Sequence, residues 1–392
     1  MAENSLIGWT DHTFNAWEGC TKVSPGCANC YAEERAKRYG SAEWGPNGTR
    51  RVKAESGWKE PLKWQREAVA CNVRPRVFCA SLADVFEDWQ GLMVDTAGRT
   101  VYVCNECGAW RAIEDICCGP NAHFPLTMND VRARLFRLID ATPNLDWLLL
   151  TKRPENFARF LPPSSSSLVE FADDGPVGVR RNVWLGVTVE NQEQADRRIP
   201  LLLSTPAKLR FLYVEPMLGP VDLRPKAPDA YSLLGRFYGK HGFDPAGMQP
   251  AADRVLNCFP QIDWVIIGGE SGANARPMHP VWARALRDQC KAAGVPFYFK
   301  QWGEWCPSDI APEPDPVPTT ILKGSPAECV VMKRPPVSFK VVKPDGGDRL
   351  FNVSGRFSGE SPTTGDCWMH KVGKKAAGRL LDGILWDEFP TA

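Results

Sequence analysis

Trp147-Leu148-Leu149-Leu150-Thr151-Lys152-Arg153-Pro154 sets four consecutive apolar side chains before an abrupt polar end. An apolar run of this length suits a strand buried on both faces, as in a parallel sheet. The pattern recurs along the chain. Val77 to Ser81, with Asp84 just beyond, lies upstream; Val183 to Asn191, Leu209 to Pro216, Trp264 to Ser271 and Pro296 to Trp302 follow. Helix-forming stretches over 128–141, 192–203 and 280–293 separate several of these runs. A first strand over 8–17 and a helix over 31–39 precede them. Alternation of this kind argues βα units. About seven such units predict an α/β protein built as a full or partial (β/α) barrel. An open doubly wound sheet is the alternative, because periodicity does not separate open from closed. In barrels the C-terminal strand ends build the site. The residues found there are Ser81, Thr151, Lys152, Arg153, Thr188, Glu190, Glu215, Gly268, Gly269, Glu270, Ser271, Lys300 and Gln301.

The loop after the first strand carries Trp17-Glu18-Gly19-Cys20 and then Cys27-Ala28-Asn29-Cys30. Three thiolates at C-x6-C-x2-C, ahead of a helix, can hold three irons of a cubic [4Fe–4S] cluster and leave the fourth iron open. Structural zinc is the competing reading. It wants four protein ligands, and the nearest further candidate, His12, lies eight residues before Cys20. A second group, Cys104-x2-Cys107 followed by Cys117, Cys118 and His123, looks like a zinc ribbon with a compressed second half. Adjacent Cys117 and Cys118 cannot easily both bind one ion in relaxed geometry, so the candidates for the fourth ligand are Cys117 and His123. An auxiliary iron–sulfur cluster, or no metal, is the alternative here. His12 and His279 read as structural, and the remaining cysteines have no metal spacing.

The domain expectation is a barrel over 1–305, interrupted by a Cys-rich insertion at 91–127 and an irregular one at 222–260, then a C-terminal extension over 306–392 packing on it. Lys and Arg total 47 against 46 Asp and Glu, so any nucleic-acid partner needs a local basic patch. No apolar run reaches the ~18 residues of a membrane span. The start lacks a secretory leader pattern. Fourteen cysteines without export then point to a reducing, cytoplasmic setting.

The stretches GWTDHTFNAWEGCTKVSPGCANCYAE, LLLTKRPEN, VWLGVTVENQEQADRRIPLLL, FLYVEPMLGPVDL, WVIIGGESG with ARPMH, FYFKQWGEW and KVGKKAAGRLLDG resemble the phage and bacterial radical S-adenosylmethionine (SAM) family with an N-terminal three-cysteine motif. The commoner pattern in that superfamily is C-x3-C-x2-C. Its Gly-Gly-Glu segment follows the second strand, whereas Gly268-Gly269-Glu270 comes late.

The resemblance implies a [4Fe–4S] cluster on Cys20, Cys27 and Cys30, with SAM on the open iron and an external electron donor. Ser81, Thr151, Thr188, Gly268, Gly269, Glu270, Ser271 and Gln301 are the candidates for holding SAM. Lys152, Arg153, Glu190, Glu215 and Lys300 are the candidate catalytic residues. It further implies a thymidine-hypermodification isomerase in phage DNA, acting in the host cytoplasm. Such an enzyme converts N-linked to C-linked glycyl-thymidine and helps viral DNA evade restriction. A lyase similar to spore photoproduct lyase is a second expectation. A non-catalytic, metal-stapled nucleic-acid-binding protein is a third.

Overall fold

A computed structural model of the chain describes residues 5, 7–115, 118, 122–162, 179–224, 261–307, 339–342, 344–345, 348–351 and 367–391. Seven parallel strands form the central sheet: β1 (His12–Thr13), β2 (Arg76–Cys79), β3 (Asp146–Thr151), β4 (Val183–Thr188), β5 (Leu209–Val214), β6 (Trp264–Gly268) and β7 (Phe297–Gln301). They pair in chain order, β1 to β7, and every ladder is parallel. A doubly wound sheet would reverse its strand order at a switch point; this one does not. The sheet instead curls into an open half-barrel, the partial form of the two barrel expectations, with β1 and β7 as its edge strands and the C-terminal stretch around Asp387 bridged to β7.

The curl shows in what the concave face holds. Trp9 packs at 4.8 Å from Phe78 on β2 and at 5.5 Å from Tyr213 on β5, ring centre to ring centre. It also meets Trp264 on β6 at 6.1 Å. Strands three and four places apart in a flat sheet could not share one indole, since neighbours lie ~4.8 Å apart. Leu148, Leu150, Trp184, Phe211, Ile266 and Tyr298 complete this inner cluster.

Helix α1 (Tyr31–Tyr39) follows the cysteine loop, and the outer face is covered by α2 (Glu60–Cys71), α3 (Met128–Asp140), α4 (Gln192–Leu203) and α5 (Pro280–Ala293). The sequence places α1, α4 and α5 at these same bounds. Their apolar residues recur three and four apart: Val131, Leu135, Leu138 and Ile139 on α3; Ala195, Ile199 and Leu202 on α4; Ala283, Leu286 and Cys290 on α5. That stripe buries against the sheet, at ~1.5–3 kcal/mol for each large aliphatic side chain. Caps set the helix starts. Thr127 and Asp130 form a reciprocal capping box on α3, and Asn191 caps α4 through the Gln194 amide.

Helix α2 falls where the sequence read as mixed. Its buried Trp64 and Ala68 supply a narrower stripe than the other outer helices show. The 225–260 part of the irregular insertion and most of 308–366 lie outside the described residues. The C-terminal residues that are described join the barrel: Cys306, Met369, Ala377, Leu381 and Trp386 belong to the same core as the outer helices. Strand Cys367–Lys371 pairs with Trp305–Pro307 and with Phe339–Val342. Among the described residues, no helix is long and apolar enough to cross a membrane.

Candidate active site at the sheet mouth

A cavity of about 390 Å³ opens where β2 to β7 end. Cys20, Cys27 and Cys30 line it, together with Ser81, Thr151, Lys152, Arg153, Thr188, Glu215, Glu270, Ser271, Lys300 and Gln301. The loop from the first strand is thus carried across to the mouth that the other strands build. Three of the expected site residues, Glu190, Gly268 and Gly269, are absent from the lining and serve the frame instead.

Glu190 is fully buried beneath the cysteine loop. Arg198 of α4 pairs with its Oε2 at 2.7 Å, and Ser24 donates to its Oε1. A Cβ on Gly26 would stand 2.4 Å from Glu190 Cγ, so only glycine lets the loop settle here. Gly269 has a similar explanation. A Cβ there would lie 1.9 Å from the Trp302 carbonyl oxygen, so this glycine admits the backbone just after β7, whereas a Cβ on Gly268 would meet the Glu215 carboxylate at 2.7 Å. Glu270 is buried and holds the loop from the other side. It takes two bonds from the Arg276 side chain, at 2.6 and 2.9 Å, and one from Asn29 Nδ2 at 2.9 Å. Asn29 lies between Cys27 and Cys30, so Glu270 fixes that pair.

Behind Cys20 stands a buried ionic network. Arg153 Nη1 lies 3.0 Å from Asp84 and 3.5 Å from Cys20 Sγ, and its Nη2 donates to the Thr21 carbonyl at 2.6 Å. Glu87 joins Arg153 at 3.4 Å and Arg50 at 2.8 Å, and accepts from the Thr21 amide. Thr151 donates to Asp84 at 2.7 Å. Arg50 and Glu87 are functional neighbours that the sequence reading missed. Arg50 opens the short strand Arg50–Val52 and Glu87 lies in the loop after β2, and nothing in their spacing marks them.

On the opposite wall, Lys300 Nζ reaches Glu215 at 2.9 Å and the Tyr213 hydroxyl at 2.7 Å, while Tyr213 donates to Glu215 at 2.9 Å. Burial, then the Glu215 carboxylate, push the Tyr213 phenol well above its ordinary value, so it stays protonated. Gln301 bridges Glu215 and Ser271. Lys374, from the C-terminal Lys374–Ala377 turn of helix, reaches the same cavity, and partial burial followed by the Lys300 charge lower its pKa. Arg153 and Lys300 are therefore committed to carboxylates, whereas Lys152 lines the cavity with its backbone amide tied to Asp84.

The donor set suits a soft metal group. All three thiols are free and half-buried. Burial, then the Glu87 carboxylate, push the Cys20 thiol up to about 12 against the pull of Arg153. A bound cationic metal would supply the positive charge this sulfur lacks. Cys30 is the N-cap residue of α1. The three sulfurs are not all within 4.8 Å of one another, unlike those of the insertion. The lone histidines lie elsewhere. His12 stacks on Trp64 at 4.3 Å, and His279 caps α5 through Nδ1.

The second group also comes together. Cys104, Cys107 and Cys118 place their sulfurs within 4.8 Å of one another, close enough to hold a metal ion. Cys117 lies outside the described residues. His123 stands directly across the β-ladder from Cys104.

The fold and site define a mixed α/β protein whose parallel half-barrel holds three cysteines at its mouth. The chain belongs to the family described as "Protein of unknown function (DUF5131)", whose model matches residues 4–106 and 122–390. Neither the curated proteins nor the solved structures contain a match to it.

Proposed function

We propose that this protein is a radical SAM enzyme with a [4Fe–4S] cluster on Cys20, Cys27 and Cys30. One observation carries the reading: three free thiols line the same cavity as the polar ends of six parallel strands. A cavity of about 390 Å³ falls within the ~300–1,000 Å³ typical of small-molecule sites. When bound, the cluster supplies an electron for cleaving SAM to methionine and a 5′-deoxyadenosyl radical.

The chain's own residues divide the remaining work. Ser24, Glu190, Asn29 and Glu270 hold the cysteine loop over the mouth. Arg153 steadies Cys20 by a guanidinium hydrogen bond. Ser81, Thr151, Thr188, Ser271 and Gln301 offer neutral donors and acceptors to the SAM ribose and methionine portions. The buried aromatic floor of Trp9, Phe78 and Tyr213 excludes water beneath them, which a reactive radical needs.

For the substrate we propose an amino-acid-modified thymidine of phage DNA, isomerised from the N-linked to the C-linked glycyl form. Lys152 is the cation suited to the glycyl carboxylate. Hydrogen loss from the glycyl Cα is favoured because amine and carboxylate flank that carbon. A base in duplex DNA would have to be flipped to enter.

Anaerobic purification tests the chemistry. The expected protein is brown, with ~4 Fe per chain, and forms 5′-deoxyadenosine from SAM on reduction. Glycyl-thymidine DNA deuterated at the glycyl Cα should pass deuterium into 5′-deoxyadenosine. Turnover of ultraviolet-damaged DNA alone would favour a repair lyase. A colourless protein holding only zinc would favour a nucleic-acid-binding module.

A further inference from the structure

The small sheet between β2 and α3 has its own chemistry. Strand Val101–Cys104 pairs with Trp110–Ala112 on one side and His123–Pro125 on the other. Cys104 is almost fully buried, Cys107 is exposed and Cys118 is intermediate. The turn after Cys104 is built around its sulfur. Gly108 takes φ +70° and returns its amide to the Cys104 carbonyl at 2.7 Å, and the Cys104 amide donates to Ala109 at 2.9 Å. This is a preformed knuckle that folds Cys107 back beside Cys104.

We infer that Cys104, Cys107 and Cys118 form a structural zinc site and that His123, whose ring nitrogens lie outside the 4.8 Å group of the three sulfurs, turns in as the fourth ligand when the ion binds. Spacing decides the metal type. Zinc–sulfur bonds of ~2.3 Å in a tetrahedron set sulfurs about 3.8 Å apart. The three sulfurs here all lie within 4.8 Å of one another, which fits one ion. A cubic cluster puts each cysteine on a different iron and so spreads them wider. His123 is directly opposite Cys104 in an antiparallel ladder, so both side chains leave the same face with Cβ atoms ~4.5–5.5 Å apart. Binding displaces one proton from each thiol to solvent and involves no change of oxidation state.

The ion has a place in the architecture. Met93 donates its amide to the Leu126 carbonyl, and Val94 bridges to Thr100, so the knuckle sheet joins strand Met93–Val94. That strand pairs with Arg50–Val52, which in turn pairs with Trp17–Glu18, immediately before Cys20. Zinc therefore staples the insertion to the sheet that carries the cysteine loop. The family match skips residues 107–121, so two of the four ligands, Cys107 and Cys118, lie outside the shared framework.

This site does not depend on the radical reading, and elemental analysis keeps the two apart. Full-length protein, purified anaerobically, should carry about one zinc per chain. Cys104→Ser/Cys107→Ser should lose it while keeping the iron bound elsewhere. Cys20→Ala/Cys27→Ala/Cys30→Ala should keep the zinc. His123→Ala should lower zinc affinity at least tenfold in a chelator competition, and Cys117→Ser should leave it unchanged. Should the serine variant fail to fold, wild-type protein loaded with cobalt(II) gives the answer, with thiolate charge-transfer and tetrahedral d–d bands expected. Retention of zinc by the serine variant, or octahedral cobalt bands, would overturn the site. So would iron at these cysteines. Loss in Cys117→Ser but not in His123→Ala would overturn the histidine assignment.

Discussion

The two cysteine groups use the same side chain in opposite settings. Cys104, Cys107 and Cys118 converge within 4.8 Å on a knuckle held by its own backbone. Cys20, Cys27 and Cys30 stand farther apart around a cavity, and distant elements hold them there: Glu190 after β4, Glu270 after β6, and Arg153 after β3. A site assembled from local backbone can be added to a fold as an insertion. A site assembled from several strand ends requires the whole barrel. The family match follows this division, covering the mouth trio and omitting 107–121.

The largest effect that would break this comparison is on metal content. Replacing Cys20, Cys27 and Cys30 together by alanine should abolish iron binding and reduce 5′-deoxyadenosine formation to background. Thermal unfolding should move little, because these half-buried loop thiols contribute little packing. A large fall in Tm with iron retained would mean that the mouth trio is structural and the contrast with the insertion fails.

A smaller effect tests the network behind Cys20. Glu87 is buried between Arg50 and Arg153. Glu87→Ala leaves two buried guanidiniums short of a partner and should cost ~3–5 kcal/mol, read from urea unfolding. Exchanging an ion pair at the surface would cost only ~0.2–1 kcal/mol. If Glu87→Ala behaves like the surface pair, the mouth is not held by long-range charge. Gly26→Ala follows in size. Its Cβ would meet Glu190, which Arg198 pins from behind. Overpacking of this kind costs ~1–3 kcal/mol, and the reconstituted protein should hold less iron while its zinc is unchanged.

Much of this was legible in the sequence because buried parallel strands write themselves as apolar runs. Leu148 to Leu150, Val183 to Val187 and Val265 to Ile267 could be little else. Their polar ends followed from the same reading, since a strand leaving the core must meet solvent or a site. What each polar end does was not legible. Glu190 and Glu215 occupy equivalent places on neighbouring strands, yet one braces the cysteine loop and the other faces the cavity with Lys300. That difference depends on Gly26 and Arg198, brought together across 172 positions. Arg50 and Glu87 were invisible for the same reason: an ion pair across an irregular chain has no period. What a glycine is for was not legible either, because a close approach to backbone, as at Gly269, and a close approach to ligand look alike in sequence.

The smallest effect concerns the insertion's outer turn and depends on pH. Asp95 accepts from the amides of Ala97 and Arg99 at 2.8 and 3.0 Å, and pairs with the Arg99 side chain. Burial raises its pKa, but these hydrogen bonds outweigh burial and hold it below the ordinary 3.8. Because the folded value lies below the unfolded one, the turn's contribution is complete above the unfolded pKa and is lost as pH falls through the folded value. Protection of the Ala97 and Arg99 amides against hydrogen exchange should therefore hold steady down to about pH 4 and decline below it. Asp95→Asn should remove that pH dependence while leaving zinc content unchanged. A metal bound at the proposed site would leave as its ligands protonate. If the Ala97 and Arg99 amides lose protection only together with zinc, the knuckle and its outer turn form one unit, and the insertion is held by its metal alone.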